Sequence, residues 1–185
     1  MALTGQRLTA EEFLAIPEGE GHYQLIDGEI VVSEPRWAHQ RAVGLIHARI
    51  LAWTESGPGR GTVGLPVDTH LDDRNVYAPD VWWLADDHRS RLDAGYLIGP
   101  PDLVVEVRSP STWRYDRGTK RQVYERTGLA ELWLVDPTAA VVVVHRRSGP
   151  TAGGFDATVE LGGADHFTSP LLPGFALPVA SVVEQ

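Results

Sequence analysis

Pro101-Asp-Leu-Val-Val-Glu-Val-Arg-Ser-Pro-Ser-Thr112 reads as a short apolar strand, Leu103–Arg108, with one carboxylate inside it. Pro100-Pro101 leads into it, and Ser109-Pro-Ser-Thr112 turns out of it into the next element. Ser109 and Ser111 suit the capping of that turn. Trp113–Thr127 is then predicted to be helical and to stop at Gly128, a C-cap signal. Leu132–Asp136 and Val141–Arg146 follow as strands joined by a tight turn at Pro137. A carboxylate buried in an apolar strand is costly without a partner, so Glu106 calls for a cation or hydrogen-bond donors nearby.

Upstream, Thr9-Ala-Glu-Glu12 matches a capping box and predicts a short helix through Phe13, Leu14 and Ile16 that stops at Pro17. His22–Val32 reads as a β-hairpin turning at Asp27-Gly28. Ala38–Trp53 has helical spacing at Val43, Ile46, Ile50 and Trp53. Gly57–Gly64 is glycine-rich without the Gly-Lys-Ser/Thr ending of a P-loop, so it reads as a turn. Thr62–Leu71 and Val76–Leu84 read as two strands about the turn Asp72–Asn75, and Ala85–Gly95 as a mobile polar segment. The tail predicts strands near Ala157–Leu161 and Phe167. Trp82 and Trp83 alternate faces, which predicts one in the core and the other partly exposed. This order gives an α/β or α+β domain around one mixed sheet, with residues 1–185 as a single domain.

Composition narrows the function. Hydrophobic content of 43% and charged content of 22% are those of an ordinary globular chain. With no cysteine, disulfides, thiolate metal sites and cysteine nucleophiles are excluded. No histidine spacing suits zinc, and no Gly-x-Ser-x-Gly elbow suggests a serine hydrolase. Met1–Leu8 lacks the apolar run of a secretory leader and Ala139–Val144 is too short to span a bilayer, so no membrane association and a cytoplasmic location are expected. A net charge of −9 argues against a non-specific nucleic-acid coat, but not against a nuclease whose site needs carboxylates.

The chain has 16 Lys+Arg, and Lys120 is the only lysine among them. Ammonium and guanidinium differ: the first is a compact charge whose pKa responds to burial. Either a compositional bias has one survivor, or this position requires the smaller cation. Arg108, Arg114, Arg117, Arg121 and Arg126 surround it, and Arg36, Arg41 and Arg49 form a second group. Asp116, Lys120 and Tyr124 are spaced four apart and share a helix face. Two readings stand: a surface Asp116–Lys120 pair worth a few tenths of a kcal/mol, or a face turned toward Glu106. Asp80 precedes the strand Val81–Leu84. If that strand neighbours Leu103–Arg108, Asp80 and Glu106 meet at a sheet edge and make a natural Mg²⁺ site.

Tyr23-Gln-Leu-Ile-Asp-Gly-Glu29, His39, Pro79-Asp80, Pro101–Thr112, the Asp116/Lys120/Tyr124 spacing and Gly128-Leu-Ala-Glu-Leu-Trp-Leu-Val-Asp-Pro137 resemble, in order, the Uma family of restriction-endonuclease-like proteins. The resemblance runs from about Leu8 to the end. It implies a PD-(D/E)xK nuclease fold: a central mixed β-sheet flanked by helices, with an N-terminal helix and β-hairpin. By position it makes Asp80 the first acidic metal ligand, Glu106 the second and the Val107 carbonyl a further one. Lys120 stands in for the motif lysine, whose usual position holds Arg108. Gln24 stands where the family usually has Glu. The implied activity is Mg²⁺- or Mn²⁺-dependent hydrolysis of DNA phosphodiesters, with Asp80, Glu106 and Lys120 catalytic. Gln24, His39, Arg108, Asp116 and Tyr124 are accessory candidates. For His39 the options are phosphate contact, proton carriage or no role on a helix surface. Symmetric double-strand cleavage needs two sites, so a homodimer is expected. The alternative is a catalytically weak or inactive nucleic-acid or protein interaction module on a nuclease scaffold.

Overall fold

The computed structural model describes residues 7–17, 22–93 and 95–183. Residues 1–6, most of the stretch read as lacking a leader, lie outside them. In chain order the elements are α1 (Ala10–Leu14), β1 (His22–Ile26), β2 (Glu29–Ser33), α2 (Trp37–Glu55), β3 (Thr62–Gly64), β4 (Thr69–Asp72), β5 (Asn75–Tyr77) and β6 (Val81–Leu84). A 3₁₀ turn (Asp86–Arg91), β7 (Leu92–Asp93), β8 (Tyr96–Ile98) and β9 (Leu103–Val107) follow. Then come α3 (Trp113–Tyr115), a π-helical turn (Asp116–Lys120), α4 (Arg121–Thr127), β10 (Glu131–Asp136) and β11 (Val141–Arg146). The tail holds β12 (Ala157–Leu161), β13 (His166–Phe167), β14 (Leu177–Pro178) and α5 (Val179–Val183).

Local signals act as their chemistry dictates. Thr9 accepts from the Glu12 amide while Glu12 accepts from the Thr9 amide, closing the capping box. Asp27 and Gly28 both take positive φ, 50° and 80°, as the two-residue hairpin turn demands. Gly128 ends α4 at φ 98°.

The central sheet runs β12-β11-β10-β9-β6-β3 and is mixed: β9 and β10 are parallel, and the other pairs are antiparallel. Every residue of β9 and β10 is buried, as expected of strands covered on both faces. On one face Val81, Trp83, Leu103, Val105 and Val107 join Ala42, Val43, Ile46 and Ile50 of α2 and Val179, Val182 and Val183 of α5. On the other, Val104, Leu132 and Leu134 meet Val123 and Tyr124 of α4, with Ile26 and Tyr77.

A second mixed sheet, β2-β1-β5-β4-β8-β7, contains the N-terminal hairpin, and β13 and β14 form a small third. This divides both of the long strands expected from the sequence. Thr62–Leu71 breaks around Pro66 into β3 and β4, and Val76–Leu84 breaks around Pro79 into β5 and β6, the halves lying in different sheets. Proline cannot donate to a ladder, so the chain crosses between sheets at these points. Among the described residues of the segment read as mobile, Asp86–Arg91 form a 3₁₀ turn and Leu92–Asp93 the strand β7, and Arg91 donates to the Pro100 carbonyl at 2.7 Å. Strand β14 and helix α5 were not expected.

The two tryptophans do take opposite faces, yet both are buried, Trp82 at 6% and Trp83 at 5% exposure. The glycine-rich loop makes this possible. A Cβ on Gly64 would lie 2.1 Å from the Trp82 ring, and one on Gly61 would lie 2.3 Å from the Leu84 carbonyl. The indole N–H groups donate to the carbonyls of Leu65 and Arg60.

Candidate active site

Strands β6 and β9 pair with Val81 opposite Val105. One step further, the same register sets Asp80 opposite Glu106. Asp80 stands just before β6, where Pro79 has ended the preceding strand. Its Oδ2 accepts from the Val107 amide at 2.7 Å, and its Oδ1 lies 3.1 Å from His39 Nε2. His39 belongs to the buried side of α2 and not to a bare helix surface. Its Nδ1 is buried with no hydrogen-bond partner among the described residues.

Glu106 alternates with Val105 and Val107, so it shares the face of Val104, toward α4. Lys120 Nζ lies 2.6 Å from its Oε1, and the Tyr124 hydroxyl donates to the same oxygen at 2.8 Å. Asp116 Oδ1 is 3.0 Å from the ammonium. The reading of Asp116–Lys120 as a surface pair is therefore overturned: Lys120 is 1% exposed and Asp116 2%. The face turns inward because Val123 and Tyr124, one turn on, pack into the core.

Asp116–Lys120 is a π turn, a feature often found at functional sites. Behind it, Thr112 donates to Asp116 Oδ2 at 3.3 Å, and Ser109 Oγ sits 2.6 Å from the Thr112 hydroxyl while accepting from the Thr112 amide. Ser109 thus takes its expected turn-capping place. Thr112 was missed, although its four-residue spacing from Asp116 was a signal. Tyr77 was also missed. Its ring lies 5.3 Å from Lys120 Nζ and 5.3 Å, edge-on, from the Tyr124 ring, and its hydroxyl donates to Asn75.

Gln24 is buried and accepts from the Ala78 amide at 3.2 Å, bracing the backbone two residues before Asp80. Arg108 lies apart from this cluster. Its guanidinium pairs with Asp136 at 2.8 Å.

The electrostatics are lopsided. Asp80, Glu106 and Asp116 gather about one ammonium. Burial pushes the Glu106 carboxyl up to about 8, with Lys120 opposing and Asp116 and Asp80 adding to the rise. Burial raises Asp116 too, against Lys120. Burial alone would lower Lys120, but Asp116 and Glu106 outweigh it and hold the ammonium above its ordinary value. Burial and then Glu106 raise Tyr124 far above the usual phenol, so it stays a donor. Solvent meets the cluster chiefly at Asp80, whose side chain is 16% exposed.

These residues suit a hard divalent cation. The donors are carboxylate and carbonyl oxygens, and the acidic groups outnumber the one ammonium among them. Among the described residues, no three His, Cys, Asp or Glu side chains stand grouped to hold an ion alone. Water and substrate would complete its coordination, as is usual for Mg²⁺.

A mixed sheet with helices on both faces, bringing an aspartate, a glutamate and a helical lysine together at its edge, is a restriction-endonuclease-like architecture. The chain belongs to the Uma2 family, described as "Putative restriction endonuclease", whose model matches residues 10–180. Its fold is similar to that of a crystal structure of "a putative nuclease belonging to DUF820" from Anabaena variabilis, with a TM-score of 0.79 and 20% identity over 95% of this chain and 97% of that one. A comparison with curated proteins gives no match. No helix among the described residues is long and apolar enough to cross a membrane.

Proposed function

We propose that the protein is a divalent-metal-dependent DNA endonuclease. One observation carries this reading: the chain's only lysine is buried between Glu106 and Asp116, on the edge where the β6–β9 register sets Asp80 opposite Glu106. Asp80 and Glu106, with the Val107 carbonyl, would hold Mg²⁺ or Mn²⁺. Such an ion supplies polarisation of the phosphate and a more acidic water. Lys120 would stabilise the negative charge that grows on the phosphate in the transition state. Asp116 holds Lys120 in place and Thr112 holds Asp116. Tyr124 fixes the orientation of Glu106. The Val107 amide and His39 fix Asp80 between them. Arg108, tied to Asp136, has no part at the reacting centre.

The test is nicking of supercoiled plasmid by purified protein with Mg²⁺ or Mn²⁺. Wild type should nick, and Asp80→Asn, Glu106→Gln and Lys120→Met should each lose roughly a hundredfold or more. Intact plasmid, linear and single-stranded DNA under these conditions would remove the enzyme reading. The enclosure of Lys120 and Glu106 favours a second reading, a nuclease scaffold kept as a non-catalytic interaction module. That reading expects no metal binding by calorimetry. Double-strand cleavage would further call for a homodimer, seen by sedimentation.

A further inference from the structure

Beside the buried cluster lies an open groove of about 570 Å³ lined by Arg108, Pro110, Trp113, Arg114, Arg117 and Gly118. It is built from the outer side of the same segment whose inner side carries Asp116 and Lys120. Of the five arginines around Lys120, Arg121 pairs with Glu125, Arg126 with Asp72 and Arg108 with Asp136. Arg114 and Arg117 are exposed and have no carboxylate partner among the described residues. The Arg114 guanidinium is fixed by lying 4.6 Å from the Tyr115 ring centroid and donating to the Tyr115 hydroxyl. A chain of net charge −9 thus keeps a cationic concavity with an apolar wall here.

We propose that this groove seats the sugar-phosphate backbone of a nucleic-acid strand, with Arg114 and Arg117 contacting phosphates next to the one held at Glu106. The proposal rests on the nuclease reading for the direction of the strand. Arg108, on the rim of the groove, follows Glu106 by two positions on the strand, about 7 Å, so the groove adjoins the cluster. Exposed guanidiniums bind phosphate bidentately. Trp113 and Pro110 offer a flat apolar wall to sugar or base. Gly118 keeps the floor open, since a Cβ there meets nothing within 4 Å.

The experiment is fluorescence anisotropy of a short labelled DNA duplex, in EDTA so that no cleavage occurs, across a salt series. The double variant Arg114→Ala, Arg117→Ala should bind roughly tenfold more weakly and lower the salt slope by about two. Gly118→Gln, which fills the groove without changing charge, should weaken binding at an unchanged thermal midpoint. Unchanged affinity and slope in the double variant would overturn the proposal. So would competition by a mononucleotide as strong as by duplex, which would make this a nucleotide pocket. Cleavage is scored separately. Arginine-dependent binding without cleavage keeps the groove and removes the nuclease reading, whereas plasmid nicking that the double variant leaves untouched does the reverse.

Discussion

Glu106 and Glu131 are both buried glutamates on neighbouring parallel strands, three register steps apart, yet their surroundings differ in kind. Glu131 takes two bonds from Arg146, one from Trp133 Nε1 and one from Ser169. One negative charge meets one positive charge and a full set of donors, so the group ties β10 to β11 and to the C-terminal tail. Glu106 meets one ammonium but shares it with Asp116, and Asp80 adds to the negative charge. A satisfied buried carboxylate is architecture. A cluster with surplus negative charge suits a site that takes a cation.

The sharpest way to break this comparison is Lys120→Met. It leaves Glu106 and Asp116 buried without the cation they share, so a loss of about 3–5 kcal/mol is expected in urea unfolding at pH 7. Survival at wild-type stability would mean that the ammonium does not hold the cluster together. Glu131→Gln should cost about 1–3 kcal/mol, by leaving Arg146 and Ser169 poorly matched, and should leave metal binding and nicking as in wild type. If it removed nicking, the division between architecture and site would fail.

Glu106→Gln should change stability by less than about 1 kcal/mol without metal at neutral pH, because it replaces a carboxyl that already holds its proton while Lys120 keeps Asp116. The same substitution tests the pH dependence. In the folded chain Glu106 holds its proton up to about pH 8, whereas an unfolded glutamate releases it near 4.3. The native state therefore binds more protons across that window, and metal-free stability should fall as pH rises through it. Thermal melts from pH 5 to 9 should show this slope in wild type and a flatter one in Glu106→Gln. Smallest of all, Arg108→Gln should cost about 0.2–1 kcal/mol, since the Arg108–Asp136 pair is partly solvated, with the arginine side chain 38% exposed.

The elements of this site were legible to different degrees, for physical reasons. Glu106 stood out because an apolar strand tolerates a carboxylate poorly, and Lys120 because the chain uses arginine everywhere else. The inward turn of Asp116, Lys120 and Tyr124 could only be posed as one of two readings, since four-residue spacing fixes a shared face but not what it faces. The π turn had no signature, because it is a change of hydrogen-bond register and not of composition. Thr62–Leu71 read as continuous because alternation crosses Pro66, and Val76–Leu84 because apolar residues flank Pro79-Asp80 on both sides, although the missing N–H groups split the ladders there. Arg108 was weighed for charge stabilisation, but its partner, Asp136, comes from the neighbouring strand β10. One of Trp82 and Trp83 was expected to be partly exposed, because nothing local reveals that Gly64 will lie against the Trp82 ring.

Whether the Asp80–Glu106 edge takes a divalent cation decides between a nuclease and a non-catalytic scaffold. Isothermal titration of Mn²⁺ into wild type, Glu106→Gln and Glu131→Gln measures this directly. The expected result is a saturable site in wild type and Glu131→Gln that is absent in Glu106→Gln. Equal binding in Glu106→Gln, or no heat in any of the three, would contradict it.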